Sequence, residues 1–372
     1  MNLSYWEQQS WFSNIDFCII GSGIVGLNCA LQLRKKHPKS KILVLEKGSL
    51  PQGASTKNAG FACFGSVSEL AADLKQHSTQ EVFDLVQKRH KGLQFLRQNL
   101  GDSAIDYESN GGYEVFLEND KALFEQCQSS YTDINQLLKP IFNEDVFQLQ
   151  QNQFNFKQTL PQVIFNKFEG QIDTGKMMLA LLQKVQQKGV LVLNSVEVLG
   201  FSAETSSVKI QLQDFEFTTK NLLIANNAFA QQLLNLDVKP ARNQVLITKP
   251  IENLALKGTF HLDEGYYYFR NIHNRLLLGG GRHLNPNGET TTEFGLTPNI
   301  QTALEELLYQ VILPDQMPEI DYRWSGILGI GSQKKPIVKA IENRVFCAVR
   351  LGGMGIAIGS QIGKDLADLV ED

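Results

Sequence analysis

The run Ile15-Asp16-Phe17-Cys18-Ile19-Ile20 passes directly into Gly21-Ser22-Gly23-Ile24-Val25-Gly26, and a helical pattern carrying Ala30, Leu31 and Leu33 opens on the last glycine. The apolar run reads as a buried parallel strand, and the glycines read as the turn into a helix. Gly21 permits a tight turn. Gly23 lets backbone approach a pyrophosphate with no side chain between them, and Gly26 lets helix and strand pack closely. The helix N-terminus offers free N–H groups and the positive end of its dipole to phosphates. A second apolar strand, Lys41-Ile42-Leu43-Val44-Leu45, ends in Glu46. That is about 20 residues past the turn, where an acid meets a ribose 2′-hydroxyl. An acid there repels the 2′-phosphate of NADP, so the pattern selects FAD or NAD.

At 372 residues the chain is long for one domain, and two are expected. A net charge of −4, with no dense lysine or arginine cluster, argues against nucleic acid or an anionic membrane as partner. The apolar stretches are strand-sized, well short of the roughly 18 residues of a membrane span. The N-terminal residues lack a basic region followed by an apolar core, so no signal peptide is expected. Tyr5, Trp6, Trp11 and Phe12 are expected to pack beneath the first strand instead. The five cysteines are odd in number, scattered and without CxxC spacing, which suits a reducing cytoplasm and argues against a structural metal.

Further along, Ser55 to Gly65 is small, polar and glycine-punctuated, suited to backbone lying against a ligand. Glu69 to Leu100 carries helical spacing, Gly111 to Leu117 reads as turn and strand, and Leu123 to Leu138 reads as a helix closed by Pro140. Gln148 to Gln158 reads as a connection. From Gly170 a second α/β portion begins. Met177, Met178, Leu181, Leu182 and Val185 form a core stripe, and Val190–Leu193, Val196–Phe201, Val208–Leu212 and Leu222–Ala225 form strands. This portion matches the first in class, so the nucleotide domain is expected to be discontinuous. Tyr266–Arg270 and Arg275–Gly279 predict a hairpin, and Ile300 to Val311 predicts a helix. At the C-terminal end, a strand from Arg344 to Val349, the turn Leu351-Gly352-Gly353-Met354-Gly355 and a further helix repeat the opening theme. This second helix N-terminus would stabilise the negative charge of a reduced flavin.

Three stretches, Gly21–Glu46, Ser55–Gly60 and Trp324–Ala357, together resemble the FAD-dependent D-amino-acid oxidase family. The resemblance implies an α/β fold with a glutathione-reductase-like Rossmann FAD domain (1–75, 163–238 and 323–372). It also implies an α+β substrate domain (76–162 and 239–322) whose mixed or antiparallel sheet covers the flavin. Carried over by position, Gly21, Gly23, Ile24, Val25 and Gly26 would hold the pyrophosphate, and Glu46 the adenosine ribose with Lys47 beside it. Ser55, Thr56, Lys57, Asn58 and Ala59 match the loop beside the phosphates and flavin ring. Val196 matches a residue whose backbone meets the adenine. Gly353, Met354, Gly355 and Ala357 match the segment at the flavin's pyrimidine edge.

Other positions depart from the family. Its glycine and D-amino-acid oxidases hold the substrate carboxylate with the arginine of Trp-x-Gly-x-Arg, but here the run is Trp324-Ser325-Gly326-Ile327-Leu328. The lysine of sarcosine oxidase is replaced by Ala357. The cysteine that attaches its flavin has no counterpart, so non-covalent FAD is expected. Arg350, or else Arg270, is a candidate to clamp a carboxylate. Tyr266 and Tyr268 share one face of a strand and are candidates to line the substrate cavity. Lys57 could reach the flavin through water. Cys63 reads as a small buried hydrophobe, and His261, His273 and His283 lack metal-ligand spacing.

The resulting expectation is a cytoplasmic FAD-dependent oxidoreductase that oxidises the C–N bond of a small amine or amino acid by hydride transfer to flavin N5, with oxygen or another acceptor reoxidising it. An unprotonated amine needs no strong side-chain base, which agrees with the lack of a convincing His/Asp pair. Three alternatives stay open: an FAD-dependent 2-hydroxy-acid dehydrogenase, a non-catalytic flavin-binding protein and, from the first motif alone, an NAD-only dehydrogenase.

Overall fold

The computed structural model describes residues 3–370. Its first large sheet is built around Ile15–Ile20, which lies between Ile42–Leu45 and Glu216–Ile224 with all three parallel. Leu191–Leu193 extends the sheet in parallel on one side and Val345–Val349 on the other. Ile19 pairs with both Val44 and Leu223, and all three side chains are fully buried. Such two-sided burial explains the unbroken apolar runs, because a parallel sheet is covered on both faces. One cover is made by helices Ile24–Lys36, Thr174–Gln187 and Gly355–Asp368, whose apolar stripes join the core above Ile19 and Val44.

The second sheet has eight strands in the order Ile320–Ile330, Lys239–Thr248, Arg275–Gly280, Tyr267–Ile272, Thr259–Leu262, Gly112–Leu117, Thr159–Asn166, Phe147–Gln151. Its pairings are antiparallel except between Thr259–Leu262 and Gly112–Leu117. The hairpin turns on His273 and Asn274, both at positive φ, which matches the twist of a two-residue connection. Phe260 and Phe269 stack across neighbouring strands with centroids 4.5 Å apart.

Several expectations shift. The helical stretch before Leu100 is two helices, Val67–Gln76 and Thr79–Leu100, because Ser78 and Glu81 form a capping box that starts the second. Pro140 does not close its helix, which runs Lys121–Phe142 and ends on left-handed Asn143. Pro140 removes the one i→i−4 hydrogen bond its own N–H would have made, and only two further residues follow it before the helix ends. Phe147–Gln151 is an edge strand, not a connection, and Val196 precedes the strand Gly200–Ala203. Phe12 is buried against Phe215 and Phe217, whereas Tyr5 and Trp6 are exposed. Strands Thr159–Asn166 and Ile320–Ile330 both belong to the second sheet, so they cross the expected boundaries at 163 and 323. No helix among the described residues is long and apolar enough to cross a membrane.

Helix Thr79–Leu100 packs on Gly355–Asp368 at Gly92, where a Cβ would stand 2.2 Å from the Ala357 carbonyl oxygen. The obstacle is backbone, which cannot swing aside. Gly92→Ala is therefore expected to cost about 1–3 kcal/mol, read as a lowered midpoint in chemical denaturation.

Candidate active site

A cleft of about 300 Å³ crosses the C-terminal ends of the parallel strands, where ligands bind in open α/β sheets. Its floor includes Gly21, Gly23, Ile24 and Val25 from the first glycine turn, and Gly352, Gly353 and Gly355 from the second. Glu46 lies at one end, nearly buried. Its Oε2 accepts from the Ser22 backbone N–H at 3.1 Å and the Ser22 hydroxyl at 2.8 Å, and its Oε1 accepts from the Gly48 N–H. Lys47 lines the same end and pairs with Glu197, and Val196 donates its N–H to the Glu46 carbonyl. Ser55 Oγ accepts the Ile24 N–H at 2.9 Å, capping the first helix from the loop Ser55–Ala59.

A second cavity of about 160 Å³ adjoins this cleft. Ala54, Asn58, Leu328, Gly353 and Ile356 line both. Beyond them the second cavity is walled by Phe61, Cys63, Glu69, Asn243, His261, Tyr268 and Met354. Arg270 does not reach in as a ligand. Its Nε donates to the Ala59 carbonyl at 2.5 Å and its Nη2 to that of Ile172 at 2.8 Å, and burial draws its pKa down to about 10.

The other expected residues divide. Lys57, Asn58, Ala59, Tyr268 and Met354 line the second cavity, with Lys57 Nζ 5.1 Å from the centre of the Phe294 ring. Gly26 and Ala357 are packed inside the fold, and Thr56 bonds the Pro51 carbonyl; none of the three lines either cavity. Tyr266 is corrected: it precedes its strand in a helical conformation, so alternation does not apply, and it lies half-exposed against His283. Arg350 is corrected as well. Its guanidinium is spent on Asp237 and on the Lys335 carbonyl, outside both cavities.

The sequence reading missed a buried pair on the cavity wall. His261 Nε2 lies 2.5 Å from Glu169 Oε1, although the two are 92 positions apart in sequence. Burial alone would lower the His261 pKa. The charge and hydrogen bond of Glu169, with Glu69 and Glu114 nearby, instead push it up to about 9. Glu69 was missed too. Its Oε2 caps the Ser66 N–H, and Gly265, lacking a Cβ, stands against its other face. Neither residue belongs to a local motif, and only strand pairing brings them together.

Residues 16–369 match the family described as DAO, FAD dependent oxidoreductase. The chain belongs to that family. Among curated relatives, gamma-glutamylputrescine oxidoreductase of Escherichia coli K12 is 21% identical over 95% of this chain and 83% of its own. L-2-hydroxyglutarate dehydrogenase of the same strain is 23% identical over 73% of this chain and 63% of its own. Among solved structures, glycine oxidase from Geobacillus kaustophilus superposes with a TM-score of 0.76 at 20% identity, covering 95% of this chain and 94% of that one.

The cleft fits the cofactor this family uses. The positions where Gly53, Gly352 and Gly353 would carry a Cβ are open, and Asn226 turns a buried, unpartnered Oδ1 onto the same wall. The helices Ile24–Lys36 and Gly355–Asp368 both begin at the cleft. The site supplies N–H groups and small residues for phosphates, and a carboxylate for hydroxyls.

The raised His261 pKa has a consequence for stability. Its contribution is complete below pH 6.5, the ordinary imidazole value, and is lost as pH rises through about 9. Urea denaturation at pH 6 and pH 9.5 should show a smaller alkaline loss in His261→Gln than in the wild type.

Proposed function

We propose that the chain oxidises the C–N bond of a small amine or amino acid, with the substrate in the second cavity and non-covalent FAD in the cleft. The observation that carries this reading is the shared wall of Asn58, Leu328, Gly353 and Ile356, which joins the cofactor cleft to a mostly apolar chamber. Bound FAD supplies a two-electron acceptor at its N5. Glu46 accepts a ribose hydroxyl, Gly21 and Gly23 admit the pyrophosphate, and the Gly353–Gly355 turn meets the flavin's pyrimidine edge. Phe61, Tyr268 and Met354 exclude water and hold the reacting carbon in place. Within this reading the first sheet and its helices form the FAD domain and the second sheet the substrate domain. Five buried, unpaired cysteines support a reducing, cytoplasmic location, and oxygen or another acceptor reoxidises the flavin.

The names of two relatives, glycine oxidase and gamma-glutamylputrescine oxidoreductase, support nitrogen-bearing substrates. A second reading, oxidation of a 2-hydroxy acid, is favoured by the His261–Glu169 pair, since a hydroxyl must lose a proton to a base as its carbon loses hydride. Anaerobic bleaching of the flavin band near roughly 450 nm by a panel of amines, N-methyl amino acids and 2-hydroxy acids decides between them. Bleaching by amines supports the proposal, and bleaching by hydroxy acids alone replaces it with the second reading. Full flavin loading without any bleaching would leave a flavin-binding protein. In a separate measurement, Glu46→Gln is expected to weaken FAD binding about tenfold, the scale of one hydrogen bond to a charged group, in a fluorescence titration with the fold intact.

A further inference from the structure

We infer that His261, held by Glu169, is the proton acceptor for the nitrogen of the substrate. The inference rests on the reading above of the second cavity as the place where hydride leaves the substrate. His261 sits on strand Thr259–Leu262 beside Tyr268 of the neighbouring strand, and both rings wall the cavity. Glu169 fixes the imidazole from behind. Its Oε1 also accepts from Thr259 Oγ1 at 3.0 Å and its Oε2 from Asn166 Nδ2 at 3.4 Å, so the carboxylate is anchored and 1% exposed. With Nε2 engaged, Nδ1 is left without a hydrogen-bond partner among the described residues and is the nitrogen available to a ligand. An imidazole oriented by a buried carboxylate is the arrangement proton transfer needs.

The surrounding groups leave this role to His261. Burial pushes the Cys63 thiol well up and Tyr268 to about 12, so both stay protonated. Glu114 is saturated by the Ser66 and Ser68 hydroxyls and the Val67 and Ser68 N–H groups. Glu69 is tied on one oxygen to the Ser66 N–H and sits at the cavity's edge, half-exposed. Cys63, Glu169 and His261 also place their ligand atoms within 4.8 Å of one another. A metal ion is a poor occupant, because two zinc ligands in tetrahedral geometry stand roughly 3.3 Å apart, whereas His261 and Glu169 are in hydrogen-bond contact at 2.5 Å.

The step balances as follows. A substrate entering as R₂CH–NH₃⁺ loses one N–H proton to Nδ1 of neutral His261. The freed lone pair forms the C=N bond as the C–H bond breaks, and its electron pair leaves as hydride to the oxidant, bound FAD. The product is R₂C=NH₂⁺, and the imidazolium returns its proton to solvent.

The test is the pH dependence of anaerobic bleaching by whichever amine of the panel reduces the wild type. The wild-type rate constant should rise with pH through about 9, where His261 becomes neutral. His261→Gln should load FAD normally and bleach about 10²-fold more slowly, its remaining limb being the amine's own, near 10 or above. Glu169→Gln, which keeps the shape and removes the charge, should move the wild-type limb down by about one pH unit or more. A readout independent of turnover is the ¹⁵N-histidine NMR titration of the FAD-loaded protein. The His261 resonance should titrate near 9, and lower in Glu169→Gln. A His261→Gln enzyme that keeps the wild-type rate and limb overturns the inference alone. Failure of every compound to bleach the wild type overturns the oxidase reading and this inference with it.

Discussion

The fold depends on a contact between two helices from opposite ends of the chain. Gly363 of helix Gly355–Asp368 lies so close to helix Ile24–Lys36 that a Cβ would stand 2.5 Å from the Val25 carbonyl oxygen, and a Cβ on Gly359 would stand 2.6 Å from the Ile24 side chain. The first turns of Ile24–Lys36 thus pack on the second and third turns of Gly355–Asp368, and both helices begin at one cleft. Between these two helices the chain leaves the first sheet and comes back. It does so twice, contributing Leu191–Leu193 and Glu216–Ile224 on one return and Val345–Val349 on the last. The excursions between returns build the second sheet, which is why the second cavity faces the glycine turns.

What the sequence disclosed follows from how local each signal is. Strand, glycine turn, helix and acid-tipped second strand occupy Ile15 to Glu46 without a break, so their spacing carries the geometry of the cleft. The wall of the second cavity is assembled differently. His261 comes from a central strand, Glu69 from a helix start and Asn243 from a long strand, while Glu169, which holds His261 from behind, lies in a turn. No spacing rule links them. Arg350 and Arg270 misled because position beside a motif was taken for access to the cavity. Both guanidiniums bind backbone carbonyls, with the Asp237 carboxylate added for Arg350, a use that residue type alone does not reveal. Tyr266 failed for a smaller reason: its strand starts one residue later, at Tyr267.

Arg270 still matters, through position. It ties the carbonyl of Ala59 to the second sheet, so the loop carrying Lys57, Asn58 and Ala59 is held between both cavities. Leu328 stands where oxidases of amino acids in this family place their clamping arginine, and it lines both cavities. A substrate carboxylate against that leucine would be desolvated without a partner, which costs several kcal/mol at the least. The chamber instead offers the carboxylate of Glu69, the His261–Glu169 pair and the amide of Asn243. That wall is better suited to an amino group or a neutral polar group than to an unpaired anion, and it weights the amine side of the reading over the α-amino-acid side.

The second sheet also roofs the cofactor cleft. Thr292 and Phe294 reach over it from a strap that begins at Glu289, a fully buried carboxylate. Burial would raise the Glu289 pKa, but hydrogen bonds from Arg242, Thr297 and Gln244 hold it below the usual carboxylate range. Releasing the strap would carry Glu289 away and leave buried Gln244 and the Arg242 guanidinium without their carboxylate partner, which is costly. Phe294 in turn packs over Lys57, on the loop that caps the first helix. Roof, loop and helix start are thus one connected assembly, and the same loop, through Ala54 and Asn58, lines both the cleft and the second cavity.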